Sequence, residues 1–129
     1  MNSDTHQPPL HERDLQRQHE VLIQRRDAIR AELMSQLSES ERLADASADP
    51  QVRDWKDTAF AHQLAGVHST AIGQLREELT EVGEALARVA DGSYGTCTQC
   101  GRHIADQRLA VQPAASRCLD CQSRAEQQV

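Results

Sequence analysis

Four cysteines near the C-terminus have the residue type and the spacing to hold a metal ion. They form two Cys-x-x-Cys pairs with seventeen residues between them, namely Cys97 with Cys100 and Cys118 with Cys121. Zinc prefers four soft ligands at the corners of a tetrahedron, and each pair can supply two thiolates. The pattern predicts one structural Zn²⁺, with disulfides or redox-active thiols as the alternatives.

The same four ligands argue against an enzyme. Four cysteines fill the coordination sphere of zinc and leave no position for a reactive water molecule. The six histidines are scattered along the chain and form no cluster with a pair of carboxylates. We interpret His19 and His68, which fall near an apolar stripe, as partly buried spacers.

The composition of the 129-residue chain predicts long helices and a small core. Leu, Ala, Glu, Arg and Gln dominate, apolar residues make up 38% and aromatic residues 2%. The first residues show neither the basic nor the apolar region of a signal peptide, and no apolar run approaches the ~20 residues of a membrane span. We therefore expect a cytoplasmic protein, in which thiolates bind zinc rather than form disulfides.

The charge is distributed unevenly. Residues 1–91 hold ten basic and seventeen acidic side chains, whereas residues 92–129 hold four and three, within a net charge of -6. An acidic body argues against binding to a phosphate backbone as the main activity. A DNA-binding zinc finger that uses Arg102, Arg108, Arg117 and Arg124 is therefore the weaker interpretation.

Two apolar stripes predict an antiparallel coiled-coil hairpin. The first helix, about residues 10 to 46, carries Leu15, Leu22, Ile29, Leu33 and Leu37. The second helix ends at about 89–91 and carries Ile72, Leu75, Leu79, Val82, Leu86 and Val89, after an upper part in the phase Phe60, Leu64, Val67 and Ala71. Pairs such as Leu22 with Leu79 have position numbers that add up to 101, as expected of helices that fold back at residues 50 and 51. A compact bundle and a coiled coil between chains are the alternatives.

The fold class predicted is all-α, with three parts. These are a disordered tail at 1–9, the hairpin at 10–91 with its tip at about 47–59, and a zinc finger at 92–129. Asp91-Gly92 ends the second helix, and a short C-terminal helix starts at Cys118 and reaches about Gln127. We expect Tyr94, Ile104, Leu109 and Val111 to pack around the metal, because zinc supplies folding energy that so small a core lacks.

The predicted hairpin tip is rich in acids. Asp49, which precedes Pro50, and Asp54 both suit the N-cap of the second helix, and the choice stays open. Asp54 and Asp57 could serve only as caps that complement the helix dipole. Trp55 and Phe60 lie beside them, and we interpret these aromatic side chains as contact anchors for a partner.

These residues together resemble the DksA/TraR zinc-finger family. The resemblance rests on Asp91–Gly101, on Ile104, Arg108, Leu109 and Pro113, and on Cys118–Cys121. Upstream, Asp54, Asp57 and Ala59 reproduce the family's DxxDxA motif at the family's distance from the first cysteine. The resemblance spans roughly residues 10–127 and is to the fuller DksA-type members rather than to the short TraR type.

The resemblance implies a bacterial transcription regulator that binds RNA polymerase and not DNA. In the family, the coiled coil is thought to enter the polymerase secondary channel and to alter the stability of promoter complexes, often together with ppGpp in the stringent response. By matching position, Asp57 and Ala59 would determine activity and Asp54 would support the conformation of the tip. We expect a monomer.

The sequence departs from the family at the positions that bind ppGpp. Relatives that bind it place basic side chains where we align Gln74, Glu81 and Gln122. None of the three is basic here, and Glu81 would repel a polyphosphate. The sequence therefore favours regulation that is independent of ppGpp.

Two other interpretations stay open. A zinc-stabilised coiled-coil adaptor for another protein would use the tip acids only as helix caps. A redox-responsive variant of the same regulator would lose zinc when its thiolates are oxidised.

Overall fold

The computed structural model describes residues 12–48 and 55–127, and helices dominate both ranges. The helices are α1 (Glu12–Ala48), α2 (Trp55–Asp91), α3 (Asp106–Val111) and α4 (Leu119–Gln127). These ranges contain no strand, only an isolated antiparallel bridge between Thr96 and His103. The all-α fold class is confirmed. The predicted tail and both candidate N-caps, Asp49 and Asp54, lie outside the described residues.

The chain divides into two compact units. One, called here the cysteine unit, contains α1 up to Arg26 and the chain from Glu81 onward; the other, the helical unit, is Asp27–Thr80. The cysteine unit combines the first part of α1 with the last part of α2, and the helical unit combines the last part of α1 with the first part of α2. Antiparallel helices produce this grouping. Within the described ranges no helix is long and apolar enough to cross a bilayer.

In the helical unit, α1 and α2 meet along a seam that contains polar groups. His68 donates a hydrogen bond from Nδ1 to Oε1 of Gln36. On α2 five half-buried positions are spaced alternately by four and three residues: Leu64, His68, Ala71, Leu75 and Glu78, and the predicted seam residues Ile72 and Leu79 beside them are half-buried as well. This is the heptad spacing of a two-helix seam, and the prediction of a partly buried His68 is confirmed.

Two residues of the predicted upper seam are not in it. Phe60 and Val67 are each 62% exposed, so their assignment to the seam is wrong. The seam passes instead through His68, one residue after Val67, because a helix turns by about 100° per residue. The prediction for His19 is also wrong, since this residue is exposed on α1.

In the cysteine unit the helices bury a short apolar core. Leu22 and Ala85 are fully buried, and Val82 is nearly so. The helix α2 then ends in a hydrogen-bonded stop, in which the carbonyl oxygen of Arg88 accepts from the N–H groups of Ser93 and Tyr94 at 2.9 and 3.1 Å. Gly92 takes the left-handed conformation at φ 85°, as this stop requires.

The side chain of Asp91 strengthens the same stop. Its Oδ1 accepts hydrogen bonds from the hydroxyl of Ser93 and from the Ser93 N–H, at 2.5 and 2.9 Å. These bonds favour the ionised carboxylate and lower the pKa of Asp91 below its ordinary value. The chain therefore leaves α2 in one defined direction toward Cys97.

Substitution by alanine is expected to have opposite effects on stability at two glycines of the cysteine unit. Gly83 lies inside α2 with nothing within 4 Å of a built Cβ, so Gly83→Ala should stabilise the protein by about 1 kcal/mol. Gly92→Ala should destabilise it by about 1 kcal/mol, because alanine is strained at φ 85°. The midpoints of urea unfolding measure both changes. A lower midpoint for Gly83→Ala would contradict the expectation.

Candidate metal centre and hairpin tip

The four cysteine sulfurs converge on one point. All four Sγ atoms lie within 4.8 Å of one another, and those of Cys100 and Cys118 are 3.8 Å apart. Zinc–sulfur bonds of about 2.3 Å at tetrahedral angles place neighbouring sulfurs about 3.8 Å apart. The spacing and the soft donor set therefore fit one tetrahedral zinc ion, and the prediction of one structural zinc is confirmed.

A tight turn brings the first cysteine pair to this point. The Cys97 N–H donates to the carbonyl of Arg102 at 2.7 Å, and the Gly101 N–H donates back to the carbonyl of Cys97 at 3.0 Å. Gly101 sits at φ 76°, in the left-handed region that favours glycine. The tight turn expected at this glycine is therefore present.

The second cysteine pair is held by the start of α4. The carbonyl of Cys118 accepts from the N–H of Gln122 at 2.9 Å, so Cys118 occupies the N-cap position. Its sulfur accepts from the N–H of Cys121 at 3.5 Å. The first turn of a helix carries unpaired N–H groups and a partial positive charge, and both stabilise thiolates there. The predicted C-terminal helix thus orients both sulfurs of the pair.

The thiols differ in how easily they ionise. Burial opposes the ionisation of Cys97, but the backbone of Cys118, Cys100 and Gln99 donates hydrogen bonds that outweigh it and lower its pKa to about 6. The sulfur of Cys118, together with burial and the other sulfurs, raises the pKa of Cys121 to about 12. Four negative charges this close repel one another, and a bound cation removes that conflict because it deprotonates its thiol ligands.

A small core supports the sulfurs. Ile104 and Leu109 are fully buried and Tyr94 is nearly so, as predicted. The Tyr94 hydroxyl donates to the carbonyl of Pro113 at 2.7 Å, and burial raises its pKa to about 12, which keeps the hydroxyl as a donor. Val111 was expected in this core but is 80% exposed, because it lies at the end of α3 and Leu109 occupies the inward position.

Arginine side chains tie the loops of the module together, a role that the sequence did not reveal. The Nε of Arg108 donates to the carbonyl of Arg117 at 2.9 Å, just before the second cysteine pair. Arg88, on α2, approaches the carbonyl of Ala114 at 3.4 Å. The Thr98 N–H also donates to the carbonyl of Ser116 at 2.8 Å. These contacts connect the segment before the second cysteine pair to α2, to α3 and to the first cysteine pair.

The predicted tip residues are only partly described. Asp57 and Ala59 lie on the backbone of the first two turns of α2, which begins at Trp55. Their side chains, and the whole of Asp54, lie outside the described residues. Assignment of these three residues to an active tip stays a prediction.

An antiparallel pair of long helices followed by a four-cysteine zinc module defines the class of this protein. Residues 92–127 match the family model described as the prokaryotic dksA/traR C4-type zinc finger. Residues 92–127 thus form a zinc finger of the dksA/traR C4 type, and the resemblance noted from the sequence is confirmed.

Individual relatives extend this likeness beyond the zinc finger. An uncharacterized protein of Aquifex aeolicus is 32% identical over 92 residues, which cover 68% of this chain and 59% of that protein. The RNA polymerase-binding transcription factor DksA of Caulobacter vibrioides is 28% identical over 120 residues, covering 93% of this chain and 81% of that protein. The match therefore takes in less than two thirds of the length of the Aquifex relative.

A solved structure shares the fold. The structure of transcription factor DksA2 from Pseudomonas aeruginosa superposes with a TM-score of 0.78 at 24% identity, covering 91% of this chain and 86% of that one. At this identity the likeness concerns the fold alone.

Proposed function

We propose that this protein binds RNA polymerase and regulates transcription initiation, with its acidic tip inserted into the secondary channel. The observation that carries the proposal is the extent of the Caulobacter match. It covers 120 residues of a 129-residue chain, so it extends far beyond the zinc finger into the long helices. The relative that matches over this whole length is named as an RNA polymerase-binding transcription factor.

The zinc module has a structural part in this function. Its four thiolates leave no open coordination position on zinc, so the metal supplies stability and no chemistry. The protein is a regulator and not an enzyme. It would act in the bacterial cytoplasm, where its proposed partner works.

The hairpin tip would exert the regulatory effect on the promoter complex. Asp57 is the third residue of α2 and Ala59 the fifth, so both lie on the first two turns next to the loop. A carboxylate at this end of a helix interacts favourably with the positive end of the helix dipole. Asp54 would fix the conformation of the loop before the helix, and Asp57 and Ala59 would act on the promoter complex.

The first experiment tests binding and activity with purified components. We expect the zinc-loaded protein to co-purify with core RNA polymerase and to change the lifetime of open promoter complexes by about tenfold at saturation, about 1.4 kcal/mol in the barrier to their dissociation. Failure to bind core polymerase would contradict the proposal and would favour an adaptor for another protein.

The same assay with ppGpp tests the regulatory part of the proposal. Gln74 and Glu81 are exposed, and Gln122 is half-buried, with its side-chain amide 3.4 Å from Glu126. No cation stands at these positions to pair with a phosphate. We therefore propose that ppGpp leaves the effect of this protein unchanged, and a several-fold enhancement by ppGpp would contradict that.

A further inference from the structure

A long run of α2 in the helical unit contains no charged residue. From Thr58 to Leu75, eighteen residues pass without Asp, Glu, Lys or Arg, although these types make up 26% of the chain. The other helix of the same unit contains charged residues at an ordinary frequency, since Asp27–Asp45 of α1 holds seven charged side chains. The two helices of the unit therefore carry surfaces of different chemistry.

The outward side of this run is apolar as well as uncharged. Phe60 and Val67 are each 62% exposed and lie seven residues apart, which places them on one side of the helix within about 20°. The neutral face, as we call it, consists of these two residues and the exposed polar residues beside them: Phe60, Gln63, Val67, Thr70 and Gln74.

The polar side chains of the neutral face cost little free energy to desolvate when a protein surface covers them. The hydroxyl of Thr70 donates to the carbonyl of Gly66 at 3.1 Å, so its proton is satisfied within the helix. Glutamine is neutral and can both donate and accept hydrogen bonds. A charged side chain in the same place would have to give up its hydration, which costs far more than removing water from apolar or amide groups.

The neutral face adjoins the tip along the helix. Val67 lies ten residues after Asp57, which corresponds to about 15 Å of helix. A partner that encloses the tip must also pass over the turns of the hairpin behind it. Of the two helices in this unit, α2 presents a long exposed side without charges, whereas α1 exposes Met34 among charged side chains.

We propose that the neutral face packs against the wall of the polymerase channel, with α2 toward the enzyme and the charged side of α1 away from it. The proposal rests on the proposed function and goes further, because it names the docking surface and the orientation of the hairpin. The partner surface would itself be uncharged and apolar at the positions that meet Phe60 and Val67.

Matched glutamate substitutions test this surface. Val67→Glu and Phe60→Glu each place a charge on the neutral face, and Met34→Glu places the same charge on α1 at a residue that is 66% exposed in the same unit. We expect the first two variants to bind core polymerase about tenfold more weakly, because each buries an unpaired carboxylate. Met34→Glu should bind within about twofold of the wild type, as exposed substitutions usually do.

The outcomes of this comparison separate failure of the docking surface from failure of the proposed function. Circular dichroism first establishes that all three variants fold. If wild type binds polymerase and the α2 variants bind equally well, the neutral face is not the docking surface, although the proposed function stands. If Met34→Glu loses as much affinity, total charge matters and the assignment to α2 is wrong. If wild type itself fails to bind, or if Val67→Glu only dissociates a dimer seen by sedimentation, the polymerase is not the occupant.

Discussion

Removal of zinc is expected to unfold residues 92–127 and to leave the helical unit folded. The module buries only three large side chains apart from cysteine, namely Tyr94, Ile104 and Leu109. Each contributes about 1.5–3 kcal/mol on burial, whereas zinc binding contributes about 10–16 kcal/mol in small four-ligand domains. The metal is therefore the largest single stabilising term in this part of the chain.

Amide hydrogen exchange measures the effect residue by residue. With zinc bound, the N–H groups of Cys97, Thr98 and Gly101 should be protected, since each donates to a backbone carbonyl. After chelation their protection should fall to that of an unfolded chain. Circular dichroism should lose only a minor part of the helical signal, because α3 and α4 have 6 and 9 residues against 37 in each long helix.

A substitution tests the same point without a chelator. Cys118→Ser removes one ligand and the sulfur that accepts from the Cys121 N–H, so it should abolish tight zinc binding. Ser123→Ala, at an exposed position of the same helix, is the control and should bind zinc as the wild type does. If the module keeps its amide protection without zinc, its small core alone suffices and the structural role assigned to the metal is wrong.

Asp57→Asn is expected to abolish the effect on initiation while binding to polymerase persists. Asparagine has nearly the same shape as aspartate and keeps hydrogen-bonding groups, so the change removes mainly one negative charge. The loss of a favourable interaction with the helix dipole costs about 0.3–1 kcal/mol, which the fold tolerates. An activity loss of at least about tenfold would therefore reflect the function of the carboxylate and not unfolding.

The measurement pairs an open-complex lifetime assay with an affinity measurement on core polymerase. Asp45→Asn is the matched control, because Asp45 is an exposed acid of the same unit, on α1 and outside the tip motif. Its activity should stay within about twofold of the wild type, as for most exposed substitutions. An Asp57→Asn variant that remains active would refute the tip mechanism, and equal losses in both variants would indicate that total charge matters.

The sequence predicts the parts of this fold that large apolar residues and cysteines determine. Leu22 and Ile29 lie seven residues apart on α1, Val82 lies seven residues after Leu75 on α2, and Leu22, Ile29 and Val82 are buried. The spacing of the four cysteines alone predicts their site. Polar residues inside the seam carry no such signal. Apolar periodicity therefore selected Val67, although its neighbour His68 occupies the seam.

The loops of the zinc module were harder to predict for a different reason. The helix α3 has six residues and no side-chain hydrogen bond at its N-cap, so no start signal marks it. Its position depends on contacts with residues later in the chain, such as the hydrogen bond from the Arg108 side chain to the carbonyl of Arg117. Placement of Val111 beneath the metal was wrong because its neighbours in sequence do not reveal which side of so short a helix faces inward.

The hydrogen bond between His68 and Gln36 has a consequence for the alignment of the two helices. Apolar seams repeat every seven residues, so a hairpin could in principle slip by one heptad and still bury leucines against leucines. A slip by seven positions would bring His68 opposite Ile29 or Leu43 instead of Gln36. Either slip leaves polar groups unpaired at a cost of about 1–3 kcal/mol each. One hydrogen bond thus selects a single alignment of α1 and α2 within the helical unit.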